Sequence, residues 1–239
     1  MTNKNIKIES LSKNYSDIYG HTTQLFKNIS FNVEIGKLTT LLAPKGTGKS
    51  TLLKMIAGFD ENNGLKEKRI FIPQKPSSFP WLNVSENILF NLNNVDIQIF
   101  KNILSFVGLD GYEDHFPNNG SIGFRFRISL ARAIINKPEL ILIDESISEL
   151  PIKRKYEIYS LLRKVTSEMG IPILYSTSSV SEALRLSDKI IVINQFPSKS
   201  VIEKEILINE ESRIDYQKYF NILEYFSNDE ITLLSNNFL

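Results

Sequence analysis

A glycine-rich turn near the start of the chain has the residue types that bind a phosphate group. Residues 43–51 read APKGTGKST and lie between a predicted buried strand and a predicted helix. The two glycines let backbone N–H groups turn toward an anion, and the N-terminus of the helix adds a favourable dipole. Lys49 can reach the β- and γ-phosphates, and the Ser50 hydroxyl can ligate Mg²⁺. The predicted phosphate-binding residues are Ala43, Pro44, Lys45, Gly46, Thr47, Gly48, Lys49, Ser50 and Thr51.

The first residue of this loop departs from the full phosphate-loop pattern, which has glycine where Ala43 stands. Alanine is tolerated there if the position keeps a negative φ. A plain glycine turn is the alternative interpretation of the segment. The flanking strand and helix favour the phosphate loop, because they would place the turn at the end of a sheet and at the start of a helix.

A second motif supplies two carboxylates at the end of another buried strand. Residues 139–145 read ELILIDE, in which four apolar residues precede Asp144 and Glu145. Ligands bind open α/β sheets at the carboxyl ends of their strands. Asp144 would hold the magnesium shell, and Glu145 would orient or polarise an attacking water. On its own the pair could be a surface turn, but with the phosphate loop it predicts a nucleoside triphosphate site.

The order of predicted elements indicates an α/β protein with a mostly parallel sheet. The first third reads as strands, and the last third alternates amphipathic helices with short apolar strands. Between them, about residues 81–125, apolar residues recur at helical spacing without a strong strand, which predicts an inserted helical subdomain. We expect a single domain over residues 1–239, with an unexplained tail at about residues 206–239 that is expected to pack as helix.

Composition excludes several functional classes. The 239 residues carry 28 basic and 27 acidic side chains, so no bulk field would attract nucleic acid. Cysteine is absent, which excludes a thiolate nucleophile, a disulfide scaffold and a cysteine-ligated metal. No apolar run reaches the roughly 18–20 residues that span a bilayer. We expect a cytoplasmic protein that reaches a membrane only through a partner.

Together these motifs resemble the ATP-binding subunit of an ABC transporter, and the resemblance covers at least residues 6–205. It implies a P-loop NTPase fold with an N-terminal antiparallel β subdomain and an inserted helical subdomain. It also implies an ATPase that uses ATP and Mg²⁺ to drive solute import through a membrane permease. The implied partners are a second ATP-binding subunit (the same chain or a paralogue), the permease and, indirectly, a solute-binding protein. The expected location is the inner face of the cell membrane.

The resemblance assigns four further site residues. Tyr15 stands where the family has an aromatic that stacks on adenine, although an ordinary strand aromatic is the alternative. Gln74 stands where the family's glutamine contacts Mg²⁺ and the attacking water, so it joins Glu145 as an expected catalytic residue. Ser121 and Gly123 match the signature peptide that closes over the γ-phosphate held by the opposite subunit. The implied metal ligands are Ser50, Gln74 and Asp144.

One segment resembles the nitrate, sulfonate and taurine importer branch of this family. Residues 79–88 read FPWLNVSENI, a Pro-Trp pair before a helix that touches the membrane subunit in that branch. Trp81 could equally be a core aromatic. Importers of thiamine precursors share these features, so the branch does not fix the solute.

Three departures from the family bear on the rate of hydrolysis. Ile122 replaces a glycine of the signature peptide, and Pro151 stands where the family has an aspartate. Ser178 occupies the place of the family's switch histidine, and both histidines of the chain precede Asp144, so no shift of register restores it. Losing one positioned donor typically costs about 10²–10³ in rate. We therefore expect slow hydrolysis. The alternative is a hydrolysis-impaired structural subunit that pairs with a competent paralogue.

Overall fold

The computed structural model describes residues 5–16, 19, 21–59, 68–117, 121–196 and 199–208. Most of the predicted tail, residues 209–239, and Gly120 of the signature peptide lie outside the described residues. The strands are β1 (Ile6–Ser16), β2 (Thr22–Val33), β3 (Leu38–Leu42), β4 (Arg69–Ile72), β5 (Leu140–Asp144), β6 (Ile173–Thr177), β7 (Lys189–Phe196) and β8 (Lys199–Leu207). The helices are α1 (Lys49–Ile56), α2 (Val84–Leu89), α3 (Ile97–Val107), α4 (Ile122–Ile135), α5 (Ile152–Met169) and α6 (Val180–Leu186).

The strands form one mixed sheet in the order β1-β2-β8-β7-β3-β6-β5-β4. Strands β7, β3, β6, β5 and β4 are parallel to their neighbours in that half of the sheet. The N-terminal pair β1 and β2 is antiparallel, as is the pair β7 and β8. The predicted α/β architecture, with a largely parallel sheet and an N-terminal antiparallel part, is confirmed.

The three central strands are fully buried. Every residue of β3, β5 and β6 is buried, as expected for strands covered by helices on both faces. Because β3 and β5 are both hydrogen-bonded to β6 in parallel register, the carboxyl ends of all three strands meet at one edge of the sheet. This edge carries the phosphate loop and the two carboxylates.

The middle of the chain is helical, as its apolar spacing predicts. Helix α2 begins with a capping box, in which Asn83 and Glu86 each bond the other's backbone N–H. Helix α3 ends at Gly108 in the left-handed conformation. Buried residues of α2, α3, α4 and α5 pack together in one apolar cluster. The division into a separate helical subdomain over residues 81–125 stays a prediction.

None of the helices in the described ranges is both long enough and apolar enough to cross a bilayer.

Candidate functional site

The glycine-rich loop lies between β3 and α1, as the sequence predicts. Its first residue is tied to the neighbouring strand, since Ala43 N donates to Thr177 O at 3.2 Å. Ala43 is fully buried and is not among the residues with a positive φ, so the position that departs from the motif tolerates alanine. The Thr47 hydroxyl donates to Pro44 O at 2.8 Å and closes the turn on itself.

Both loop glycines adopt a backbone conformation that disfavours other residues. Gly46 has φ 86° and Gly48, which caps α1, has φ 90°. A Cβ on Gly46 would meet no atom within 4 Å, so this side of the loop is an open cradle in which an anion fits. A Cβ on Gly48 would lie 2.6 Å from Leu25 Cδ2.

The two glycines therefore predict unequal losses of stability. Gly46→Ala and Gly48→Ala share the cost of a positive φ, about 1–2 kcal/mol. Gly48→Ala must also displace the half-buried Leu25 side chain, which can move, so the added cost is at the low end for overpacking, about 1 kcal/mol. We expect the thermal midpoint of Gly48→Ala, measured without nucleotide, to fall about 2–4 °C below that of Gly46→Ala. Equal midpoints would contradict the close packing of Leu25 against the loop.

The Lys49 ammonium group is buried at the base of the loop. Nζ donates to Ala43 O at 2.9 Å and to Pro44 O at 3.0 Å, and it lies 3.1 Å from Glu145 Oε1. A buried lysine is stable only with such partners, because its charge is costly to remove from water. The ion pair brings the phosphate-loop lysine directly against the predicted catalytic carboxylate.

The two carboxylates stand at the end of β5, and their surroundings differ. Asp144 is buried and paired in register with Ser176 of β6, whose hydroxyl donates to Asp144 Oδ1 at 2.7 Å. Glu145 leaves the strand with φ 43°, a left-handed conformation that costs about 1–3 kcal/mol outside glycine. Glu145 N donates to Ser176 O at 3.2 Å, so the same neighbour holds both carboxylate residues.

A cavity of about 480 Å³ gathers most of the predicted nucleotide-binding residues. Gln74, which follows β4, and Tyr15 of β1 face this cavity together with the loop and Glu145. The Tyr15 hydroxyl lies 3.2 Å from Thr51 Oγ1, and its ring is half exposed. The cavity is lined by Tyr15, Leu25, Lys45, Gly46, Gly48, Lys49, Ser50, Thr51, Gln74 and Glu145.

The residues present fit a nucleoside triphosphate with a divalent cation. The open cradle at Gly46, the lysine and the start of α1 suit the phosphates. Oxygen ligands are what Mg²⁺ prefers, and Ser50, Gln74 and Asp144 would supply them. The hydrogen bond from Ser176 fixes one Asp144 oxygen and leaves the second for the cation shell.

The signature residues lie in a different cavity. Ser121 caps α4, where its hydroxyl accepts from Phe124 N at 3.3 Å, and Gly123 follows in the first turn. Both line a cavity of about 530 Å³ together with Pro151, and this cavity shares no lining residue with the phosphate cavity. Among the described residues of one chain, Ser121 and Gly123 therefore do not line the cavity of the phosphate loop. Ile122 packs half-buried on the helical core, beside the signature serine.

The departures from the family are also located. Ser178 comes directly after β6, one residue beyond the Thr177 carbonyl that holds the phosphate loop. His21 and His115 are exposed and neither lines the phosphate cavity, so neither replaces a switch histidine there. Pro151 caps α5 without a side-chain hydrogen bond.

Two groups of residues that support the site and its neighbouring strand are not predicted from the sequence. Ser176 holds Asp144, and the signal for it was a hydroxyl within a fully buried strand, which must find a partner. The second group surrounds the buried Glu182 carboxylate, which accepts from Tyr175, Thr177 and Lys155 at 3.0, 2.8 and 2.7 Å. Burial and Glu182 raise the pKa of Tyr175 well above its ordinary value, so its hydroxyl stays a donor.

The sequence and the fold match known proteins. A family model described as "ABC transporter" matches residues 26–148. An iron(3+) import ATP-binding protein, FbpC, from Fusobacterium nucleatum is 35% identical over 211 residues. That match covers 79% of this chain and only 55% of the relative. An aliphatic sulfonates import ATP-binding protein, SsuB, from Bacillus cereus is 33% identical over 218 residues, covering 84% of this chain and 86% of the relative.

Solved structures agree on the fold. The dimeric structure of MJ0796, described as a bacterial ABC transporter cassette, superposes with a TM-score of 0.71 at 24% identity, covering 85% of this chain and 98% of that one. CbiO1 from Clostridium perfringens, described as part of the transporter complex cbiONQ, gives a TM-score of 0.74 at 20% identity. That superposition covers 97% of this chain and 99% of the other.

Proposed function

This chain belongs to the ABC transporter family of ATPases, and we propose that it is the subunit that drives solute import through a membrane permease. The observation that carries the proposal is the phosphate cavity, where Lys49 of the loop lies against Glu145 and which Gln74 also lines. The cavity is thus lined by the lysine proposed to bind the triphosphate, the carboxylate proposed to act on water and the glutamine proposed to relay contact with the permease. The relatives named for iron(3+) and for aliphatic sulfonates carry different solutes, which fits an ATP-binding subunit that does not itself choose the solute.

Nucleotide binding is proposed for residues that line the cavity and for four further residues that do not line it, Ala43, Pro44, Thr47 and Asp144. The Tyr15 ring would stack on adenine, and the loop from Ala43 to Thr51 would hold the phosphates through its backbone N–H groups. The proposed Mg²⁺ ligands are Ser50, Gln74 and Asp144. The cation, when bound, would neutralise phosphate charge. Lys49 leaves its ion pair with Glu145 for the phosphates, so binding would free the carboxylate.

Hydrolysis is proposed to depend on Glu145. Once released from Lys49, its carboxylate would accept a hydrogen bond from the attacking water and hold that water in line with the γ-phosphate. Gln74 would orient the same water from the opposite segment. Slow turnover is expected, because Ser178 is too short to act as the missing histidine.

A complete site is proposed to require a second ATP-binding subunit. The separate cavities support this, since Ser121 and Gly123 line a cavity that shares no residue with the phosphate cavity of their own chain. In a dimer of this chain, or with a paralogue, they would close over the partner's γ-phosphate. The alternative of a purely structural, hydrolysis-impaired subunit is not favoured, because the chain belongs to a family of ATPases and its curated relatives are import ATP-binding proteins.

An exposed aromatic surface supports a contact with the permease. It consists of Phe79, Trp81 and Phe90, and we call it the aromatic surface. Trp81 is 70% exposed and Phe90 50% exposed, so the tryptophan is not a core residue. Both rings contact Phe79, at centroid distances of 5.6 and 4.5 Å. Large exposed aromatic clusters mark protein interfaces. Through this contact the chain would sit on the inner face of the membrane, with a solute-binding protein as an indirect partner.

Trp81→Ala is expected to abolish most recovery of the permease with the tagged chain from detergent-solubilised native membranes. A buried aromatic anchor is worth at least about 2 kcal/mol in an interface, or roughly thirtyfold in affinity. The matched control is Phe116→Ala, which removes another exposed aromatic ring outside the aromatic surface. Equal recovery with both variants would contradict the assigned contact surface, and recovery with ribosomes or DNA would contradict the importer proposal itself.

A further inference from the structure

A buried serine directly after the catalytic carboxylate contacts the segment that carries Gln74. Ser146 is 2% exposed, and its hydroxyl donates to Pro73 O at 2.8 Å. Two other carbonyl oxygens are farther from Oγ, Asp144 O at 3.2 Å and Ile72 O at 3.4 Å. A hydroxyl has one proton to donate, so the bond to Pro73 is the one it makes.

This bond lies where the sheet no longer holds the two segments together. Strands β4 and β5 pair in register as far as Ile72 and Ile143. Pro73 has no N–H and cannot continue the ladder. The Ser146 hydroxyl attaches the two segments beyond that point, between the residue before Gln74 and the residue after Glu145.

The backbone at Glu145 needs such support. Its φ of 43° is strained for a residue with a side chain, and such conformations persist only when their surroundings hold them. Glu145 N donates to Ser176 O at 3.2 Å, and Glu145 O accepts from Ser148 N at 3.1 Å. Ser146 lies in the turn that the bond from Ser148 N to Glu145 O closes, and its own bond to Pro73 O attaches this turn to the neighbouring segment.

We propose that Ser146 is a positioning residue whose hydroxyl holds Glu145 and Gln74 at a fixed spacing across the phosphate cavity. The proposal rests on the proposed function, because it takes Glu145 and Gln74 as the groups that act on water. It also gives a route inside one chain from the permease to the site, since a shift of the Gln74 segment would pull on the backbone next to Glu145.

The first test compares two buried serines that each donate to a backbone carbonyl. Ser129 of α4 is 7% exposed and donates to Ser77 O at 3.1 Å, farther along the same segment. Ser146→Ala and Ser129→Ala should lower the thermal midpoint by similar amounts. Only Ser146→Ala should lower kcat, by about tenfold, with little change in the Kd for ATP. Ser146→Cys, which keeps a weak donor of similar size, should recover part of the loss.

A second readout does not depend on turnover. The chain has no cysteine, so Lys75→Cys provides one exposed site for a nitroxide label next to Gln74. We expect Ser146→Ala to sharpen the electron paramagnetic resonance spectrum of this label. Ser129→Ala should change the spectrum less, because Ser77 O keeps a second donor, Arg132 Nη1 at 3.4 Å. Equal effects of the two alanine variants on kcat, or an unchanged spectrum in Ser146→Ala, would overturn the positioning role. If the wild type shows no turnover above Lys49→Ala, the proposed hydrolysis fails, and the spectrum alone decides whether Ser146 holds the segment.

Discussion

Glu145→Gln should lower phosphate release from Mg-ATP by about 10²–10⁴-fold, the usual contribution of a positioned general base. The amide keeps the size of the side chain but cannot accept a proton from water. The change also removes the ion pair in which Lys49 Nζ lies 3.1 Å from Glu145 Oε1. Lys49 then has no carboxylate to leave before it binds the phosphates. ATP should therefore stay bound, and the variant should retain radiolabelled ATP through gel filtration while the wild type loses it as ADP.

Glu139→Gln is the matched control for this experiment. It makes the same chemical change just before the first residue of β5, at the opposite end of the strand and on an exposed side chain. Turnover of this variant should equal that of the wild type. If Glu145→Gln released phosphate as fast as Glu139→Gln, the assignment of the base would be wrong.

Ser178→His should raise kcat, by up to about 10²-fold, because it would supply the donor that the sequence resemblance predicts at this position. Thr177 O accepts from Ala43 N of the phosphate loop, and Ser178 is the next residue along the chain. An imidazole at position 178 would therefore be attached next to the residue that contacts the loop. Ser178 is half-buried and lies in neither a helix nor a strand. The measurement is phosphate release at saturating Mg-ATP.

Ser178→Phe separates the donor from the size of the ring. A phenyl ring fills a similar volume and donates no hydrogen bond, so it should give no increase in kcat. An equal increase with both variants would mean that filling the space, and not donation to the γ-phosphate, limits the wild type. No increase with histidine would contradict the explanation of slow turnover by Ser178.

The sequence predicts the frame of the site because its signals are local. A buried strand that reads LTTLL, a glycine turn and an amphipathic helix follow one another within about twenty residues, and the structure has β3, the loop and α1 in that order. The carboxylates of β5 are recognisable for the same reason, since four apolar residues precede them. Parallel pairing then brings these local motifs to one edge of the sheet.

The hydrogen bonds that support the site could not be predicted, because they join residues far apart in the chain. Ser176 and Asp144 are 32 residues apart, and Ser146 and Pro73 are 73 apart. A buried serine signals that it needs a partner but does not say which carbonyl or carboxylate lies beside it. The surface position of Trp81 was likewise open, since an aromatic after proline suits a core and an interface equally.

The decisive measurement for the proposed ATPase is phosphate release from Mg-ATP by the purified wild-type chain, with Lys49→Ala as the blank. Removing the lysine removes the group that lies against Glu145 and that would hold the phosphates. We predict slow release by the wild type that is clearly above this blank, and we expect the rate per chain to rise with protein concentration, because the proposed complete site needs two chains. Release equal to the blank, while the wild type still binds ATP, would contradict this prediction.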